Sequence, residues 1–255
     1  MRRPACILIT GASGAIGGAL AREYAAPGVK LILHGRNRSA LDSLADECRQ
    51  LGAAVRLFAF DVRDIAEVRR WGARMASEEA LDLVIANAGM NISTGPDGAG
   101  EPWEAVEALL DTNLRAVLAL VDAALPAMRT RRRGQIALVS SLAAYFGLPV
   151  TPSYCASKAA VKAYAEALRG WLCAEGIAVN VIMPGYVESA MCRDMLGPKP
   201  FLWTPERAAR VIRRGLEKNR ARISFPFPLN MGTWLLAVLP AGLSTRLLIA
   251  LGYRG

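Results

Sequence analysis

One histidine, His34, serves the whole 255-residue chain, so a multi-histidine metal centre or a Ser-His-Asp triad would have to be built around that single side chain. No metal site is expected. Five cysteines (Cys6, Cys48, Cys155, Cys173 and Cys192) form no CxxC pair and leave one over. That count argues against a disulfide framework and fits reduced thiols packed as small hydrophobes in a cytoplasmic protein. The short apolar stretch after Met1 runs straight into a glycine-rich turn, which is not the pattern of a signal peptide. Acidic residues are outnumbered, 22 against 31 basic, giving a net charge of +9. The densest basic run, residues 129–133, has no aromatic residues interleaved, so a solvated face is expected there and no nucleic-acid partner.

What the chain does have is hydrophobic content, 53%, enough to bury a full core in a single domain. Short, nearly all-apolar runs recur at residues 6–10, 30–33, 55–59, 83–86, 136–139 and 178–182. Between them, residues 15–25, 39–51, 65–77, 103–128 and 153–174 carry helical periodicity. Strict alternation of this kind predicts an α/β fold, a Rossmann-type doubly wound parallel sheet with ligands at the carboxyl ends of its strands. The Gly-, Pro- and Asp-rich stretch 91–102 reads as a loop within the domain.

The first strand runs into residues 10–17, TGASGAIG, at the start of a helix. Gly11 permits the tight turn, while the N-terminus of the helix offers N–H groups and a partial positive charge to a pyrophosphate. Further along, Tyr154 and Lys158 are spaced i, i+4 and share a helix face. An ammonium beside a phenol favours the ionised form, so Tyr154 is the candidate acid/base.

These features stand in order with Asp61-Val62, Asn87-Ala88-Gly89, Asn113, Ser141 and Pro184-Gly185; Ser141 lies thirteen and Asn113 forty-one residues before Tyr154. Together the motifs resemble the short-chain dehydrogenase/reductase family, specifically its short single-domain branch, over residues 5–225. The resemblance implies hydride transfer between nicotinamide and a carbonyl or alcohol. It further implies that Ser141 orients the substrate oxygen, Asn113 supports a proton relay, and Lys158 also binds the nicotinamide ribose. By the same resemblance Gly11, Ser13, Ala15, Ile16, Asp61, Val62, Asn87, Ala88, Gly89, Pro184, Gly185 and Val187 belong to the cofactor site with Tyr154 and Lys158.

After the second strand, Gly35 stands where an NAD-preferring fold places an acidic residue, and Arg36 follows it. An arginine there suits a 2′-phosphate, so NADP is expected over NAD. The spacing Gly11, Gly14, Gly17 also fits the extended branch of the family, which leaves two alternatives open: an NAD-dependent sugar-nucleotide epimerase or dehydratase, and a non-catalytic NADP-binding protein.

The catalytic domain is expected to span residues 1–226, with an apolar extension over 227–255. Pro240 and Arg246 interrupt the apolar run, which predicts two short helices in place of a spanning one. These could serve a subunit interface, a substrate lid or, through residues 227–251, peripheral contact with a membrane. The aromatic and apolar residues of 142–151 and 186–204 point to an apolar or lipid-like substrate. A homo-oligomer, dimer or tetramer, is expected from helices 103–128 and 153–174, which resemble those the family uses for subunit pairing.

Overall fold

Four consecutive apolar residues form β1 (Cys6–Ile9), and alternation along the strand sends Cys6 and Leu8 into one core and Ile7 and Ile9 into another. An all-apolar strand therefore needs helices on both sides. A computed structural model describes residues 4–95 and 98–253. Residues 1–3, where no leader is expected, residues 96–97 of the expected loop and residues 254–255 of the extension lie outside the described residues.

After β1 come α1 (Ala15–Tyr24), β2 (Lys30–Gly35), α2 (Arg38–Gln50), β3 (Ala54–Ala59), α3 (Ile65–Glu78), β4 (Leu83–Ala86), α4 (Trp103–Leu110) and α5 (Ala116–Arg131). The second half contains β5 (Gly134–Val139), α6 (Pro152–Leu172), β6 (Ile177–Pro184), α7 (Ala190–Asp194), α8 (Pro205–Glu217), β7 (Arg222–Phe225), α9 (Leu229–Val238) and α10 (Ala241–Ala250). All seven strands are parallel, in the order β3-β2-β1-β4-β5-β6-β7. This is a Rossmann-type α/β sheet. Helices α3, α5 and α6 cover one face through residues such as Trp71, Leu120 and Val161, while α1, α2 and α8 cover the other through Leu20, Leu44 and Ile212. Each of these large side chains contributes about 1.5–3 kcal/mol by leaving water. Strand order reverses between β1 and β4, and the crevice that opens there at the strand ends holds the candidate site.

Two details differ from the periodicity. The stretch read as one helix over residues 103–128 is continuous but holds a π turn at Asp111–Arg115, which turns Thr112 and Asn113 inward. The helix then continues past 128 to Arg131, where basic residues sit favourably at its C-terminal end. The basic run is a solvated face, as expected, with residues 130–133 exposed, and its arginines are also tied to their surroundings. Arg129 pairs with Glu175 at 2.7 Å and lies over Trp171, Arg131 donates to Leu81 O, Arg132 donates to Ala174 O, and Arg133 pairs with Asp82 at 2.8 Å.

Candidate active site

The turn from β1 into α1 is held from below. Gly11 takes φ +66°, a left-handed conformation that favours glycine. Asn87, just past β4, donates from Nδ2 to Thr10 O and Gly11 O, and the Thr10 hydroxyl accepts from the N–H groups of Asn87 and Ala88. Asn87 thus ties β4 to the turn. Gly14 caps α1 without any side-chain hydrogen bond, so the first N–H groups of the helix face the cleft with no side chain over them.

At the end of β2, a Cβ on Gly35 would stand 2.6 Å from Ser13 Oγ. The serine fills the space an acidic side chain would require. Arg38 is tied to Asp42 at 3.1 Å, whereas Arg36 stays exposed at the lip of the cleft. Asp61 accepts from the Arg63 backbone N–H and pairs with its guanidinium at 2.7 Å; these bonds hold its carboxyl below the usual range. The uncapped helix end fits the pyrophosphate of a dinucleotide, with Gly35 and the exposed Arg36 at the adjoining lip.

Tyr154 and Lys158 lie on α6, both buried, with the amine 5.7 Å from the centre of the phenol ring. Lys158 Nζ donates to Val139 O at 3.1 Å. Burial pushes the Tyr154 hydroxyl up to about 12, although a side-chain hydrogen bond with Ser141 opposes the shift. Burial likewise pulls Lys158 down to about 8. The direction for Tyr154 is opposite to that expected from an adjacent ammonium. In the chain by itself desolvation outweighs the charge, because both groups are enclosed.

Ser141 follows β5; its hydroxyl accepts from Ala143 N–H at 3.1 Å and faces Pro184 O. Asn113, in the π turn, is fully buried: Oδ1 accepts from Met90 N–H at 2.8 Å, and Nδ2 donates to Met90 O and to Ser157 Oγ. Its side chain does not reach Lys158.

All of the residues expected around the cofactor, together with Ser141, Tyr154 and Lys158, line one cleft of about 990 Å³. Asn113 lies behind the wall, next to Thr112, which does line it.

A model of the family described as short chain dehydrogenase matches residues 5–197. The chain is a short-chain dehydrogenase/reductase. It is thereby an oxidoreductase. An uncharacterized oxidoreductase of Myxococcus xanthus is 37% identical over 234 residues, covering 91% of this chain and 92% of that protein. Nodulation protein G of Rhizobium meliloti is 38% identical over 190 residues, 72% of this chain and 74% of that one. Among solved structures, a short-chain dehydrogenase from Sphingobium yanoikuyae in complex with NADPH superposes with a TM-score of 0.82 at 25% identity, covering 94% of this chain and 95% of that chain.

Within this short-chain dehydrogenase/reductase, sequence reasoning missed how far the C-terminal extension enters the cleft. Leu229, Leu235, Leu236, Leu247, Leu248 and Leu251 all form part of its wall. The extension is also latched: the hydroxyls of Tyr186 and Tyr253 are 2.9 Å apart, and Tyr253 donates to Pro198 O at 3.0 Å. No motif announces these contacts, since they join residues 55 and 67 positions apart through side chains common in any apolar tail. His34, also in the wall, is buried and pulled down to about 4, which leaves it neutral at ordinary pH.

Proposed function

We propose that the chain is an NADP(H)-dependent oxidoreductase acting on the carbonyl or secondary alcohol of an apolar substrate. The observation that carries this reading is the meeting of Ser141, Tyr154 and Lys158 in one cleft with the uncapped α1 end and Arg36. When bound, the nicotinamide supplies or accepts the hydride. Arg36 would hold the 2′-phosphate, and the α1 end the pyrophosphate. The NADPH bound by the Sphingobium relative agrees with that preference.

Tyr154 gives a proton to the substrate oxygen during reduction and takes it back during oxidation. The Ser141 hydroxyl holds that oxygen against the phenol, and the Lys158 charge stabilises the phenolate left behind. The Asn113 amide is committed to Met90 and Ser157, so it supports the proton relay by fixing the wall beside Lys158. The leucines of the extension, with Met191, Met195 and Phe146, give the cleft an apolar wall that matches a hydrocarbon substituent and is ill-suited to a hydroxyl-rich sugar nucleotide. Trp103 on α4 and Trp171 on α6 are each more than half exposed, which supports subunit pairing through those helices.

The test is Tyr154→Phe. NADPH should raise the melting temperature of wild type and variant alike, while turnover across a panel of carbonyls falls by about 10²–10⁴-fold. A variant that keeps its turnover would remove Tyr154 from the chemistry.

A further inference from the structure

The helices α9 and α10 have two roles that meet at the same residues. Facing inward they wall the cleft; facing outward they present Met231, Trp234, Val238, Leu243 and Ile249 to solvent, joined by Phe227 just before α9, with Phe227 77% and Val238 57% exposed. Leu235, Leu247 and Leu251 belong to both surfaces, since they line the cleft and are each 40% exposed or more. The apolar exterior is therefore continuous with the mouth of the cleft. α9 has no buried residue at all and is apolar on most of its circumference, a pattern that calls for a non-aqueous neighbour. Each helix is ten residues long, and no described helix is long and apolar enough to cross a membrane.

We infer that this hairpin seats in the surface of an anionic phospholipid membrane, so that the cleft takes its carbonyl or alcohol substrate from the lipid layer. Charge points to lipid of that sign. Across residues 225–253 the only charged side chain is Arg246, which is exposed, and there is no acid; the chain as a whole carries +9. Trp234 and Phe227 supply the aromatic side chains that favour the headgroup boundary, and short apolar helices lie in that boundary without spanning it. The rim leucines distinguish this occupant from a second copy of the chain. A rigid protein face seated on Leu235, Leu247 and Leu251 would close the mouth, whereas a fluid apolar layer covers the same leucines and still admits a dissolved substrate.

The substrate half of this inference rests on the proposed oxidoreductase activity; the membrane half does not, and the two are read separately. The full chain is floated with vesicles of phosphatidylcholine alone and with vesicles of equal parts phosphatidylcholine and phosphatidylglycerol. Wild type should float with the mixed vesicles and weakly or not at all with the neutral ones. Trp234→Glu combined with Val238→Glu, at positions outside the cleft, should lower vesicle affinity by about tenfold or more, and Arg246→Glu should remove the preference for the anionic lipid. Reduction of a small water-soluble ketone by NADPH should be unchanged in these variants, while reduction of a long-chain ketone carried in the vesicles should be lost with binding.

Wild type that stays unbound with both vesicles overturns the inference. So does a double variant that floats as wild type does but breaks up an oligomer in sedimentation velocity, which would make the face a subunit interface. Vesicle binding without turnover of any ketone would leave the docking standing and overturn the proposed activity and the substrate route together.

Discussion

Lys158 is buried with no acidic partner among the described residues, and its lowered value near 8 fixes where the site should change character. Below that pH the amine is charged and favours ionisation of the phenol; above it, the charge is lost and Tyr154, already raised to about 12, becomes a weaker proton donor. For NADPH-dependent ketone reduction, kcat/KM of wild type should be level at lower pH and fall as pH rises through about 8. A profile level to about pH 9.5 would show that this amine does not govern the step. Neighbouring side chains likewise decide the cofactor. Arg36→Ala should weaken NADPH by about 1.5–3 kcal/mol, the value of a hydrogen bond to a charged group, and leave NADH nearly unaffected. Gly35→Asp alone meets Ser13 Oγ at 2.6 Å, so preference for NAD should emerge fully only when Ser13→Gly makes room. Equal losses for both cofactors in Arg36→Ala, measured by titration, would count against the phosphate contact.

At the scale of elements, what was legible followed from period and punctuation. Apolar runs as dense as residues 6–9 and 83–86 can only be buried strands in an alternating chain, and both are fully buried in the sheet. The π turn at Asp111–Arg115 was not legible, because it widens the helix by one residue without needing glycine or proline to mark it. Yet that widening is what turns Asn113 inward to hold Met90 by both its N–H and its carbonyl. Asn113→Ala leaves those two half-buried backbone groups without their partner. The expected cost is about 1–3 kcal/mol for each, seen as a lowered melting temperature. Turnover should fall with it, because Met90 lines the cleft and Ser157, the third partner, sits one residue from Lys158. A variant that melts like wild type would show that solvent or a shifted Met90 satisfies the loop instead.

At the scale of the molecule, the cleft is assembled from segments that strand order brings together at the carboxyl ends of the strands, and their legibility differs for a physical reason. Phosphate-binding turns and the Tyr154–Lys158 helix face need particular residue types at fixed spacing, so they leave a mark in the sequence. A hydrocarbon wall needs only volume and apolarity, and residues 229–253 meet that need with ordinary leucines whose partners lie far along the chain. Tyr253 shows the difference most clearly: it closes the extension over the 186–200 segment with two hydrogen bonds, yet nothing around it in sequence sets it apart. Tyr253→Phe removes both while keeping the ring, which rests against Gly197. Each neutral hydrogen bond contributes about 0.5–1.5 kcal/mol, so the ratio of closed to open arrangements should fall by about five- to 160-fold. Since the bonds touch the apolar half of the cleft and not the Gly11–Ile16 turn, KM for a long-chain ketone should rise while the NADPH dissociation constant stays where it was. A matching rise in both would mean that the extension braces the whole cleft, and no change in either would mean that packing of α9 and α10 holds it closed without the latch.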